Sequence, residues 1–259
     1  MLSWIESQST SVIAGLMLAF CYAMAAAVWV CGKLLSRRTV GEELKTISPV
    51  TLTTPLAVIL GLLIGFIAAR VWANVAKAKE HVEQEATALS EVILLSGALP
   101  FEIRTSLREA VRSHIAFIEE KDWPMMANFR ADLRSEVIGL ETALALLLSF
   151  RAADPSQEFA RHQAVRAVER AFAEREHRMR LSKDQIAPIQ WTAIIALAGL
   201  ILATIAIIHI GRPAAIAITL FIFSSGFAVC LTLLMAYDRP FAAGGINIPP
   251  TAFREINLD

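Results

Sequence analysis

Arg104, Arg108 and Arg112 recur every fourth residue, so on a helix they stack along one face. Such a face either pairs with acidic neighbours on a solvated surface or, repeated around a symmetric ring, lines a vestibule that concentrates small anions. A second basic group, Arg175, Arg178, Arg180 and Lys183, precedes a long apolar run and reads as a belt on anionic lipid headgroups. Glu174 and His177 have the Glu-x-x-His spacing of a di-iron helix, which needs a second such motif and two more Glu. His81, His114 and His162 have no Glu three residues before them, so no metal site is expected. His81 and Glu85, four apart, face the same way and read as a surface hydrogen bond or ion pair. There is no P-loop, nucleophile elbow, Gly-rich dinucleotide fingerprint or HExxH. The sequence therefore points away from an enzyme and implies no cofactor.

The elements that must position these groups are dictated by composition. Hydrophobic residues make up 56% and charged residues 19%, with mean hydropathy +0.54. A soluble chain is nearer 45–50% apolar and about 25% charged. The excess lies in four runs, residues 11–32, 49–72, 190–210 and 213–237, each long enough to cross about 30 Å of hydrocarbon as a helix. Trp4, Trp29, Trp72, Trp191 and Tyr237 fall at or near run ends, where interfacial aromatics belong. Residues 1–10 carry no Lys or Arg, so the first run lacks the basic start of a cleaved signal and reads as a span. Ten basic residues flank the spans on the side of the large loop, against five on the other. That bias favours N- and C-termini and the large loop in the cytoplasm. Net charge is zero, which gives no reason to expect nucleic acid as a partner. Cys21, Cys31 and Cys230 all lie in spans and read as small apolar packing residues.

Span two carries Gly61-Leu62-Leu63-Ile64-Gly65. Glycines four apart strip one helix face of side chains and allow close helix approach. Alternatively that strip lines a pore beside Thr51, Thr53 and Thr54, whose hydroxyls replace waters of an ion's hydration shell. The spans hold no acidic or basic residue at mid-depth, which argues against a proton-driven transporter. Between spans two and three, residues 73–189 hold 4 Lys and 12 Arg against 18 acidic residues, with only Gly97 and Gly139 as glycines. Their apolar positions recur at helical spacing. Span two is expected to continue as a polar-faced helix to about Gly97. Further helices are expected over about 101–121, from Trp123-Pro124 to about Phe150, and from the Asp154-Pro155-Ser156-Gln157 cap to about Asp184.

In order along the chain come Val71-Trp72, Glu85-Ala86, Leu99-Pro100, Trp123-Pro124, the Arg178–Leu181 stretch, Pro188-x-x-Trp191 and Asp238-Arg239-Pro240-Phe241, with Gly244 following. With two spans on either side of a helical domain, this series resembles the bestrophin-like domain family over about residues 50–253. The resemblance to true bestrophins is more distant and implies an oligomeric chloride-type channel with cytosolic termini. Bestrophins hold calcium with an acidic run after the Pro-Phe pair. Here residues 242–247 read Ala-Ala-Gly-Gly-Ile-Asn, so calcium gating is not implied. Span two also lacks a bestrophin-type aromatic neck.

The expectation is an all-α membrane protein of four transmembrane helices, with a cytoplasmic helical bundle between spans two and three. Its segments are a first transmembrane pair (1–72), a soluble helical domain (73–189), a second pair (190–237) and a tail (238–259). So few polar groups in one subunit's spans require a homo-oligomer to enclose a water path. Its expected partners are further copies of itself, membrane lipids and small anions, in a bacterial-type inner membrane. A bestrophin-like, anion-selective channel with span two lining the pore is the leading reading. The alternatives are a non-conducting scaffold that docks a partner and a stator-like ion pathway that needs a partner helix.

Overall fold

The computed structural model describes residues 10–35, 49–132, 137–209, 212–242 and 245–258, with the backbone alone at residues 35 and 49–52. Over these residues the chain is helical and has no strand. The helices are α1 (Thr10–Leu35), α2 (Pro49–Ser96), α3 (Phe101–Phe117), a π-helical segment (Ile118–Asp122), α4 (Trp123–Ala127), α5 (Ile138–Ser149), α6 (Pro155–Leu181), α7 (Pro188–Ile208), α8 (Pro213–Tyr237) and α9 (Thr251–Arg254). Those containing the four apolar runs are each long and apolar enough to cross a membrane, with window hydropathies of 2.1 to 2.5. The chain divides into two compact units, Met1–Ala73 with Gln185–Asp238, and Asn74–Asp184 with Arg239–Asp259. α2 runs unbroken through the boundary at residue 73. Pro55 sits near its start, where a missing donor costs least.

In the first unit α1 packs on α7 and α8. Leu60, Ile67 and Val71 of α2 join Cys21, Ala25, Ile194, Ala198, Leu202, Leu220, Phe227 and Leu231 in its core. The spacings 60/67/71 and 194/198/202 are those of single helix faces. Tyr22 stacks on Phe221 with centroids 5.5 Å apart, and its hydroxyl lies 2.9 Å from that of Ser225. The approach to α7 is fixed by Arg70, which donates to the Gln185 carbonyl at 2.9 Å, and by Asp238, which accepts from the Ile186 amide at 2.9 Å.

In the second unit the polar half of α2 offers Ala78, Val82, Ala86, Leu89, Val92 and Ile93 to the core. α6 answers with Ala160, Ala164, Ala167, Val168 and Ala171, small side chains at three- and four-residue spacing that let helices close up. The α6 start is built as the sequence implies: Asp154 accepts from the Gln157 amide at 2.9 Å and Gln157 accepts from the Ala153 amide at 3.1 Å. The expected helix from Trp123 to Phe150 is instead two. α4 ends where Asn128 turns its side chain back on the Pro124 carbonyl at 2.7 Å and Phe129 takes φ 57°. The expected break before Trp123 is instead a continuous helical run through the π-helical segment. The tail adds Phe241, Ile248, Phe253 and Ile256 to this same core.

α3 and α5 approach each other tightly at Gly139. A Cβ there would lie 2.6 Å from the Ala110 carbonyl oxygen and 2.8 Å from the His114 Cβ and amide nitrogen. Neither backbone can retreat cheaply. Gly139→Ala is therefore expected to cost about 1–3 kcal/mol through overpacking, read as a lowered thermal midpoint of the purified protein.

Candidate functional site

Two sets of residues, one in each unit, carry the chemistry. In the first unit, α2 packs inward through Leu60, Ile67 and Val71 while Val58, Ile59, Leu62 and Phe66 stay exposed. Gly61 and Gly65 lie on that uncovered surface, and among the described residues no atom outside their own helical turn and chain neighbours lies within 4 Å of a Cβ built on either. Thr54 is exposed and Thr53 half-buried, while the Thr51 side chain lies outside the described residues. Among the described residues, none from another helix packs against the glycine strip.

In the second unit the three stacked arginines of α3 have different surroundings. Arg104 lies 5.5 Å from the Phe101 ring, and Arg112 pairs with Glu109 one turn away. Arg108 is half-buried, and its Nε is shielded from solvent with no hydrogen-bond partner among the described residues. An exposed pair such as Arg112–Glu109 contributes about 0–1 kcal/mol.

The larger finding is a chain of buried charges. Glu85, Asp122 and Arg178 are 0% exposed, and Arg175 is 4% exposed. Arg178 donates to both Glu85 carboxylate oxygens, at 2.7 and 3.2 Å, and reaches Asp122 at 3.4 Å. Arg175 grips Asp122 with two bonds of 2.7 and 2.9 Å. His114, also fully buried, meets Glu85 at 3.4 Å. Two carboxylates thus face two guanidiniums, which is what makes burial of four charges tolerable. The Arg178 guanidinium lies 5.0 Å from the Trp123 ring and 5.8 Å from the Phe253 ring. Trp123 is in turn fixed by donating to the Ile248 carbonyl at 3.1 Å. At the end of the π turn the consecutive residues Asp122 and Trp123 are both buried.

Arg175 and Arg178, expected on lipid headgroups, are thus core residues, because they continue the buried Ala164–Ala171 face of α6. Arg180 and Lys183 are exposed, Arg180 pairing with Glu176. His81 and Glu85, expected to pair, take other partners. Glu85 is taken by Arg178, and His81 bonds Glu174 at 2.5 Å and stacks on His177 with centroids 5.0 Å apart. Among the described residues no group of His, Cys, Asp or Glu is arranged to hold a metal ion. Glu85 alone of the buried carboxylates has a signal in the sequence. Glu85 sits on the apolar face set by Val82, Ala86 and Leu89, where a solvated carboxylate has no place.

Past Trp72, α2 turns polar through Lys77, Lys79, Glu80 and Glu83, so Glu85 lies outside the membrane-spanning stretch. Burial acts to raise its carboxyl, but the Arg178 charge and the bonds from His114 and Arg178 outweigh it and hold the group below the usual carboxylate range. A lowered folded value means that the stability Glu85 contributes is full above its unfolded value of about 4.3 and is lost as pH falls through the folded one. Acid unfolding of wild type should therefore steepen below about pH 4.3, and Glu85→Gln should flatten that limb. Arg178→Met should cost about 3–5 kcal/mol by leaving a carboxylate buried and unpaired. Arg180→Met should leave the unfolding midpoint unchanged.

A sequence model described as Bestrophin-like domain matches residues 18–253. Similar folds include a crystal structure of a bacterial Bestrophin homologue from Klebsiella pneumoniae with an isoleucine-to-threonine substitution. It is 13% identical, with 93% of this chain and 96% of that one covered and a TM-score of 0.69. A tryptophan-to-alanine variant is also 13% identical, with 91% and 92% covered and a TM-score of 0.67. A leucine-to-threonine variant is 14% identical, with 93% and 94% covered and a TM-score of 0.66. No curated protein matches the chain. At these identities the structures establish likeness of fold. Four membrane-length apolar helices and a match over nearly the whole sequence identify a multi-pass membrane protein, and the chain belongs to the Bestrophin-like domain family.

Proposed function

We propose that the protein is a bestrophin-type ion channel that assembles as a homo-oligomer and passes small anions along a path lined by the first half of α2. The observation that carries this reading is the bare strip at Gly61 and Gly65. No other described helix covers it, and a symmetric ring would turn such strips toward one another or toward a common axis. Thr51, Thr53 and Thr54 near the start of α2 would offer hydroxyls to a partly dehydrated ion. Arg104, Arg108 and Arg112, repeated by symmetry, would hold a positive potential in a cytoplasmic vestibule. In this arrangement both termini face the cytoplasm, and Arg180 and Lys183 contact lipid headgroups. Calcium is given no role, because the segment after Phe241 lacks the carboxylates it needs.

The test is chloride against potassium flux in proteoliposomes of the purified protein, with the Arg108→Glu/Arg112→Glu variant beside it. The expected result is chloride-selective flux in wild type and a reduced chloride-to-potassium ratio in the variant. No flux from folded, oligomeric protein would overturn the channel reading, and an unchanged ratio would remove the arginines from the path. Gly61→Leu and Gly65→Leu meet open space within the chain, so helical content should stay at the wild-type level by circular dichroism. Flux or oligomer size should change in both.

A further inference from the structure

We propose that His81, His177 and Glu174 form a pH-sensitive latch on the seam between α2 and α6 in the second unit, closed near neutral pH and released by acid. His81 on α2 and Glu174 on α6 are both half-buried, and the His81 Nδ1 lies 2.5 Å from the Glu174 carboxylate. His177, one turn past Glu174 and exposed, lays its ring on that of His81, with centroids 5.0 Å apart and planes 22° from parallel. Imidazole is the side chain whose charge ordinarily changes between pH 5 and 8. One proton on the pair is matched by Glu174. A second puts two cations face to face across the seam, with one carboxylate to answer them.

Among the described residues the neighbouring carboxylates are already engaged. On α2, Glu85 is bonded by Arg178 and Glu80 accepts from Gln84 at 3.0 Å. Glu83, two residues past His81, falls on another side of the helix. Lys77, one turn before His81, is exposed and adds positive charge. On α6, Arg170 pairs with Glu91 and Arg180 with Glu176. Asp184, two turns past His177, accepts from Asn74 at 2.7 Å. The opened seam takes up the second proton freely and the closed seam resists it, so the closed form is favoured at high pH and loses ground as pH falls. The same seam holds the Glu85–Arg178 contact, since Glu85 lies one turn past His81 and Arg178 follows His177. Any effect of release on conduction rests on the channel reading of α2.

Hydrogen–deuterium exchange of the full chain at pH 7.5 and 5.5, with labelling times scaled for the intrinsic rate, reads the latch directly. In wild type, amides of residues 74–85 and 174–181 should lose about tenfold protection at the lower pH, the scale of two like charges at this separation near a protein surface. Amides of α3 and α5 should keep theirs. His177→Phe keeps a ring on His81 and removes the second charge, so it should show no such loss, with His114 and His162 still in place. Glu174→Gln withdraws the counter-charge and should lose protection at a higher pH than wild type. Unchanged protection in wild type, a wild-type response in His177→Phe, or a Glu174→Gln response at or below the wild-type pH would overturn the latch. So would loss of protection throughout the unit, which is plain unfolding. Chloride flux over the same pH range should change in wild type and stay constant in His177→Phe. Flux that ignores pH while exchange responds would overturn the coupling to conduction. Absence of flux from both proteins would count against the channel reading alone, because exchange still reports the latch.

Discussion

Four charges taken out of water, Glu85, Asp122, Arg175 and Arg178, set the terms for the whole second unit. Each alone would cost several kcal/mol to bury, and the cost is offset only while every partner stays within hydrogen-bonding reach. The chain of contacts therefore fixes α2, α6 and the π turn at once. The π segment supplies Asp122, α6 supplies both arginines in register, and the tail lays Phe253 against the Arg178 guanidinium. Replacing the network by apolar side chains of similar volume need not destabilise the domain. What the charges add is specificity, because a helix slipped by one turn would leave a charge unpaired.

The first unit works by the opposite means. Its core is apolar, with Tyr22–Ser225 as an interhelical polar contact, and α2 leaves its glycine strip uncovered. A buried charge network is affordable in the second unit because each carboxylate has a guanidinium at hand. A lipid-embedded unit instead gains from close backbone approach between helices. One helix, α2, carries both designs in sequence: a glycine strip first, then Glu85 on an apolar face.

Much of this was legible beforehand. The four apolar runs, the Asp154–Gln157 cap and the Pro188 and Pro213 starts each encode their own element, because length, capping and proline are local signals. The ordered short motifs pointed to the family. What stayed hidden depended on contacts between residues far apart in the chain. Arg178 lies 93 residues from Glu85, and its local surroundings, with Arg175, Arg180 and Lys183 nearby, look like a headgroup belt. Only the run of alanines before it, continuing onto the same face, signals that the helix side is buried. The break after Ala127 was equally obscure, since the stretch up to Phe150 keeps helical spacing throughout.

The claim that one buried charge chain governs the second unit is tested most directly by a double-mutant cycle on Glu85 and Arg178. Unfolding free energies would be measured for wild type, Glu85→Gln, Arg178→Met and the double variant. The account predicts strong coupling: the double variant should be less destabilised than the sum of the singles by about 2 kcal/mol or more, because removing both partners leaves no unpaired buried charge. Additive effects within about 0.5 kcal/mol would contradict it and show that the two side chains contribute through packing alone.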